Sequence, residues 1–344
     1  MARLRKRGET IRQFILDNIE SHPSDIAQIT AEKFDISRQA INKHIQRLVE
    51  QKTLIVSGHT KARRYGLAPL KELTKIFPID DNLQEDVVWR NDMSVLLSDF
   101  PDNVIEVWGY CFTEILNNAI DHSSGQTVRI NLKKNAVSTE IYIHDDGEGI
   151  FNKIQRIMGL LDERHAILEL SKGKLTTDPS HHTGEGIFFS SRMVDDFQIL
   201  SGGTYFSHKH TEESDWILER YKPGKGTLVY MKMKNNSSRN VKKIFDTYTT
   251  TEDYGFNKTI VPVRLAQYGN EMLVSRSQAK RLLSRVDRFK TVILDFEGIA
   301  SIGQAFGDEI FRVFAMKNKD IILLHVNASK QVEQMIMRAL LNAD

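Results

Sequence analysis

At 344 residues the chain is too long for one ordinary hydrophobic core, and two or three domains are expected. Hydrophobic content of 40% and charged content of 27% are those of a water-soluble globular protein. No apolar run approaches a membrane span, and no apolar segment follows the basic start, so neither an anchor nor a secretory leader is expected; the cytoplasm is the expected location. The single cysteine, Cys111, excludes an intrachain disulfide framework and a cysteine-rich zinc site. With Val107 and Ile115 at helical spacing, Cys111 reads as a small buried apolar residue. Net charge is only +2 but unevenly spread: residues 1–70 hold 13 Lys/Arg against 7 Asp/Glu, while the remainder holds 34 against 38. A basic module joined to a mildly acidic body points to a polyanion partner for the N-terminus.

In residues 1–70, Ile11, Phe14, Ile15 and Ile19 fall on one helical face, and His22-Pro23 ends that helix. Ser24 can cap a second helix that turns Ile26, Ile29 and Phe34 inward. Ser37 can cap a third, with Ile41, Ile45 and Leu48 inward and Arg38, Gln39, Asn42, Lys43 and Arg47 left outside the apolar stripe. Leu54-Ile55-Val56, a basic loop holding Lys61, Arg63 and Arg64, and Tyr65-Gly66-Leu67 read as two strands joined by a loop. The stretch "ISRQAINKHIQRLVEQKTLI" resembles winged helix-turn-helix DNA-binding domains. That resemblance implies base and phosphate contacts by the residues just named. A three-helix module used for protein contacts is the alternative reading.

Residues 71–104 read as a linker helix, with Trp89, Met93, Leu96 and Leu97 on one face. No histidine lies between His59 and His122, and the segment has room for only one long helix at about 1.5 Å per residue. This argues against the phosphoacceptor hairpin of a self-phosphorylating histidine kinase.

Three motifs follow in order within residues 105–235. Glu114 and Asn118 stand four apart on a helix spanning Ile105 to Ile120 and project from one face. A carboxylate and a carboxamide so placed can address a water and a polyphosphate-bound Mg²⁺, which prefers oxygen ligands. An alternating strand then runs into Asp145-Asp146-Gly147-Glu148-Gly149, where the glycines permit a sharp turn and close approach to a planar ligand. Last, His181-His182-Thr183-Gly184-Glu185-Gly186 opens into a helix, whose first N–H groups can bind phosphate. Each motif alone is common; three in this order and spacing are specific.

The set resembles the GHKL ATPase family (gyrase, large heat-shock chaperones, histidine kinases, MutL), which implies a Bergerat-type α/β sandwich binding ATP and Mg²⁺. Carried over, Glu114 matches the general base for a hydrolytic water and Asn118 the Mg²⁺ ligand. Asp145 matches the adenine-reading aspartate, helped by Thr227. Gly147, Gly149, Gly184 and Gly186 match the glycines lining the nucleotide, and residues 151–183 match the ATP lid. His122, His181 and His182 lack the companion ligands of a metal cluster.

Residues 250–344 read as an α/β module of β-α-β-α-β-α order, with Ile260–Leu265, Thr291–Phe296 and Ile321–Val326 as strands; the continuous apolar run of the second suggests burial on both faces. "VILDFEGIASIGQAFGDEIF" resembles STAS-type domains. Gly303-Gln304-Ala305 stands where those domains carry a phosphorylatable serine, so an interaction or dimerisation surface is expected rather than a phosphorylation switch.

The expected whole is a multidomain α/β protein, with a winged helix-turn-helix at 1–70, a linker helix at 71–104, a GHKL ATP-binding domain at 105–235 and a STAS-like domain at 250–344. The expected function is an ATP-binding, DNA-binding regulator with weak ATPase activity, in which ATP sets the arrangement of domains or protomers. Its expected partners are DNA, a second copy in a homodimer and a protein held by the STAS-like domain. Alternatives are an anti-sigma-type serine/threonine kinase acting on a partner, and an ATP-dependent protein-interaction module.

Overall fold

The computed structural model describes residues 2–175, 184–209, 216–219, 224–249, 255–267 and 271–341; for residues 2–5, 61 and 216–219 it describes the backbone alone. The chain divides into two compact units, Met1–Lys75 with Asn131–Ile141 and Lys232–Ser237, and Ile76–Ile130 with Tyr142–Met231 and Ser238–Asp344.

The first unit begins with α1 (Ala2–Asn18), α2 (Ile26–Phe34) and α3 (Arg38–Glu50). Ile11, Ile15 and Ile19 meet Ile26, Ile41, Ile45, Leu48 and Leu54 in one core, as the helical spacing of these residues requires. The Ser37 hydroxyl accepts the Ala40 amide at 3.2 Å and so caps α3. The start of α2 differs from the expectation: Asp25, not Ser24, occupies the cap position, and its side chain makes no capping bond. It faces His22 Nδ1 instead, at 3.1 Å. Strands β1 (Leu54–Ser57) and β2 (Arg64–Leu67) pair antiparallel, Leu54 opposite Leu67 and Ser57 opposite Arg64.

Residues 71–78, read from sequence as part of a linker helix, form a strand, β3 (Lys71–Pro78), at the edge of a seven-stranded sheet. Half-buried and exposed positions alternate along it, but two of the half-buried ones are Lys71 and Lys75, which hides the strand period in the sequence. Pro78 is tolerated because an edge strand leaves one row of its hydrogen-bonding groups unpaired. Beyond it the chain winds through α4 (Glu85–Val88), a π-helical turn (Trp89–Met93) and a 3₁₀ turn (Ser94–Leu97), in place of one regular helix. The wider turn sets Trp89 against the Phe112 ring, centroids 5.6 Å apart.

The sheet has the order β3-β4-β5-β9-β6-β7-β8, with β4 (Thr127–Lys134), β5 (Ser138–Asp145), β6 (Asp196–Ser201), β7 (Thr204–Lys209), β8 (Trp216–Glu219) and β9 (Thr227–Lys234). Strand β9 sits between β5 and β6, and that crossover brings the ends of β5 and β9 side by side. Helix α5 (Asp102–His122) buries Val104, Val107, Trp108, Cys111, Phe112, Ile115, Leu116 and Ala119 along one stripe. Burial pushes the Cys111 thiol up to about 12, so it is an apolar packing group at neutral pH. Helices α6 (Ile150–Met158), α7 (Glu163–Lys172) and α8 (Gly186–Met193) follow. The stretch expected as a single lid thus begins with two regular helices, and residues 176–183 lie outside the described residues. Phe188 and Phe189 of α8 pack with Phe245 and Tyr248 of α9 (Val241–Tyr248) and with Phe256.

The C-terminal module comprises β10 (Lys258–Pro262), α10 (Arg276–Leu283), β11 (Thr291–Asp295), α11 (Gln304–Asp308), a π-helical stretch leading into α12 (Ala315–Lys317), β12 (Ile322–Val326) and α13 (Lys330–Leu341). Ser275 and Gln278 form a capping box at the start of α10. The three strands pair in parallel and in sequence order. Successive right-handed crossovers of that kind place their helices on one face. This corrects the expectation of a strand buried on both faces: Val292 and Leu294 are buried, whereas Thr291, Ile293 and Asp295, which alternate with them, are only partly so.

Ile15 is fully buried in the three-helix core. Ile15→Ala is expected to cost about 2–5 kcal/mol, read as a lower urea midpoint for loss of the helical circular-dichroism signal; an unchanged midpoint would contradict this core.

Candidate functional site

Helix α5 turns its apolar stripe inward and leaves Glu114, Asn117, Asn118 and His122 on the wall of a cavity of about 270 Å³. Asn118 Nδ2 donates to its own helix, to Glu114 O at 2.7 Å, which keeps its amide carbonyl for another partner. Asp145, Thr227, Gly184 and Gly186 line the same cavity, with Ile115, Ile143, Ile150 and Val229 as apolar wall. Residues from α5, β5, β9 and the start of α8 therefore converge, although over a hundred positions separate the first from the last.

Asp145 is 5% exposed at the end of β5. Its Oδ1 accepts the Gly147 amide at 2.9 Å and the Thr227 amide at 3.2 Å, while no hydrogen bond from a described residue reaches Oδ2. Burial raises its pKa above the ordinary carboxylate value, and the two amide bonds oppose that shift without cancelling it. A buried carboxylate with one oxygen committed and the other unbonded, on an apolar-walled cavity, suits a ligand that presents an N–H donor. Thr227 Oγ1 in turn accepts the Ile150 amide at 2.9 Å and so holds the first turn of α6 against β9.

Asp146 and Glu148, which the motif alone does not distinguish from Asp145, have structural partners. Asp146 accepts the Gln126 amide at 2.7 Å and the Thr127 amide at 3.0 Å, and these bonds lower its pKa. Glu148 pairs with Arg156 at 2.8 Å. Gly147 and Gly149 are not wall residues of the cavity; they lie in the turn between Asp145 and Ile150, which are. A Cβ on Gly147 would lie 2.0 Å from Ser123 O, so only glycine lets the turn approach the end of α5, where Glu148 N bonds the same carbonyl. At Gly186 a Cβ would lie 2.0 Å from Glu114 Oε2, so the glycine leaves room for that carboxylate. His181, His182 and Thr183 lie outside the described residues. Among the described residues no group of three or more His, Cys, Asp or Glu gathers as a metal site.

The cavity also includes residues that the motifs do not mark. Lys153 donates from Nζ to His122 O at 2.7 Å, placing an ammonium on the wall. It sits three residues after Ile150 on an amphipathic helix, where a lysine in sequence reads as an ordinary surface residue. Leu170 and Leu175 complete the wall, and Leu175 N donates to Gly184 O at 3.1 Å. Glu185, beside Glu114 and Lys174, has its pKa raised chiefly by burial.

In the other unit, Arg38, Gln39, Asn42, Lys43 and Arg47 are all exposed on α3, and Arg63 and Arg64 are exposed by β2; the Lys61 side chain lies outside the described residues. His44 lies among them, with its pKa lowered first by burial and then by Arg12 and Arg47. A cluster of cations that disfavours one more positive charge is an electrostatic match for an anion.

A family model described as a STAS-like domain of unknown function (DUF4325) matches residues 278–333, from within α10 to α13. The C-terminal module is STAS-like. Comparison with curated proteins finds no match.

Because the folded state raises the Asp145 pKa, its ionisation opposes folding: stability from this group is greatest at low pH and declines as pH rises through the carboxylate range. Asp145→Asn keeps an oxygen for the Gly147 and Thr227 amides and removes the buried charge. It is therefore expected to melt at a higher temperature than the parent at pH 7 or above; a clear drop in Tm would show that the charge itself holds the loop.

Proposed function

We propose that this protein is an ATP-binding, DNA-binding regulator in which nucleotide controls the arrangement of domains or protomers, with slow hydrolysis as a reset. The observation that carries the reading is the convergence of Glu114, Asn118, Asp145, Thr227, Gly184 and Gly186 on one cavity. Asp145 Oδ2 would accept the exocyclic amino group of adenine, and the apolar wall would take the base. The Asn118 carbonyl fits a Mg²⁺ ligand, the ion completing its shell from phosphate and water oxygens and neutralising phosphate charge. Gly184 and Gly186 leave backbone N–H groups at the start of α8 for phosphate. Glu114, held on the wall and spared contact by Gly186, is the group to take a proton from a hydrolytic water.

The basic module at residues 1–70 supports DNA as the second ligand. Three helices followed by a two-stranded ribbon are the element order of a winged helix-turn-helix, and Arg38, Gln39, Asn42, Lys43, Arg47, Arg63 and Arg64, named for groove and phosphate contact, are exposed. A homodimer reading two half-sites is the arrangement we propose. The STAS-like domain favours a second reading, a serine/threonine kinase acting on a protein partner; transfer of radiolabel from ATP to protein rather than to free phosphate would select it. Gly303, at the point where a modifiable serine is expected, packs against Val274, where a Cβ would lie 2.7 Å from the Val274 Cα. That supports a partner, rather than this segment, as any phosphoacceptor.

Asp145→Asn is expected to weaken ATP binding on the order of 100-fold, since a charged hydrogen-bond acceptor is lost inside the cavity. Glu114→Ala should bind ATP and turn it over about 100-fold more slowly or worse. Calorimetry showing parental ATP affinity in the Asp145 variant sinks the nucleotide reading. DNA selected from a random pool with and without ATP·Mg²⁺ should be retained in a salt-dependent way, and Arg47→Ala should reduce the slope of log affinity against log salt by about 1. Failure to retain any DNA at low salt would favour protein contacts instead.

A further inference from the structure

We infer that residues 169–175 form a strap through which the STAS-like domain senses and biases occupancy of the cavity; this rests on the reading of the cavity as an ATP site. Leu170 and Leu175 belong to the cavity wall, and Leu175 is bonded to Gly184 of the glycine loop. Between them lies Lys172, 1% exposed, whose Nζ donates to Glu169 Oε1 at 2.7 Å, to Ser284 O at 2.8 Å and to Arg281 O at 3.3 Å. Arg281 belongs to the last turn of α10, and Ser284 is its C-cap. An ammonium thus satisfies carbonyls that a helix end leaves without intrahelical partners, at the negative end of the helix dipole. The Lys172 carbonyl accepts the buried Thr259 hydroxyl at 2.8 Å. Lys174 O accepts Arg285 Nη2 at 2.8 Å and Arg288 Nη1 at 3.2 Å, and Lys174 Nζ donates to Arg288 O at 3.1 Å. Arg281, Ser284, Arg285 and Arg288 all lie in the STAS-like match at 278–333.

This is more attachment than a wall segment needs. The cavity side of residues 170–175 is apolar, Leu170 and Leu175, whereas both lysines of the segment are gripped from the STAS-like side. A buried Lys–Glu pair is tolerated only while its hydrogen bonds are kept, so the strap cannot leave α10 without exposing or unpairing charge. The network also has room for a second arrangement. Arg285 Nη1 stands 3.9 Å from Glu169 Oε2, beyond hydrogen-bond range, and both Glu169 Oε2 and Arg285 Nε are buried without a hydrogen-bond partner among the described residues. A small shift of α7 that closes that gap moves Leu170 and Leu175 as well, because they belong to the same short segment. Reciprocity follows: a partner that holds the STAS-like domain in one arrangement must change ATP affinity by the factor by which ATP changes affinity for that partner.

The test is hydrogen–deuterium exchange on the full chain with and without ATP·Mg²⁺, with ATP binding measured on the same samples. ATP is expected to slow exchange in residues 105–122 and also, by about tenfold, in residues 276–288. Thr259→Val, which removes one strap bond at nearly constant volume, and Lys172→Met are each expected to bind ATP with protection of 105–122 but to lose most of the protection at 276–288. If Lys172→Met does not fold, the Thr259 variant decides alone. Protection of 105–122 with none at 276–288 in the parent chain, or undiminished protection at 276–288 in the Thr259 variant, overturns the strap and leaves the nucleotide reading intact. Absence of protection at 105–122 together with absence of ATP binding overturns both.

Discussion

The cavity depends on a carboxylate held out of water. Asp145 ends β5 where β9 begins beside it, and its Oδ1 takes the amides of Gly147 and Thr227. Those bonds tie the turn after β5 to the first residue of β9, and the Thr227 hydroxyl then fixes the first turn of α6. Burying a charge is unfavourable unless such donors are supplied. The loop that follows is therefore built around the acid, with Gly147 allowing the turn to reach Ser123 O and Asp146 clamping β4. Accepting those amides requires no charge, so the buried charge is unfavourable to the fold and is not explained by the two amide bonds alone.

Helix α5 supplies the opposite wall with two unlike faces. Its apolar stripe, with Trp108, Phe112 and Cys111 fully buried, fixes the rotation of the helix. Once that rotation is set, Glu114 and Asn118 can face only the cavity. Helix α8 packs on α5 and carries Phe188 and Phe189 into an aromatic cluster with Phe245, Tyr248 and Phe256. The glycine loop at the start of α8 is thereby referred to the same packed layer as the helix it faces, and Phe256 carries that layer on to Phe289 of the STAS-like domain.

The C-terminal domain is consequently more than an appendage. Gly173, where a Cβ would lie 2.6 Å from the Phe256 ring, and Lys172, capping α10, lock one wall of the cavity to the domain behind it.

Much of this was legible in the chain itself. Helical spacing of Ile11, Ile15, Ile41 and Ile45 defined the first core, because apolar residues recurring every three to four positions line up on one side of a helix. The four-residue interval between Glu114 and Asn118 placed both on one face by helix geometry alone. The alternating strand running into Asp145-Asp146 placed a pair of acids at the strand's end, since the face-to-face alternation of side chains stops there. Strand β3 was hidden because lysines hold two of its four half-buried positions, and β11 looked buried on both faces because an apolar run carries no record of which side the helices cover. Only the tertiary structure could separate Asp145 from Asp146, which differ in partners and not in type. Lys153, Leu170 and Leu175 joined the wall through packing of distant segments, and Lys172 met the end of α10 across more than a hundred residues. Local sequence sets periodicity and turn chemistry, whereas burial of charge and the identity of its partners are properties of the assembled chain.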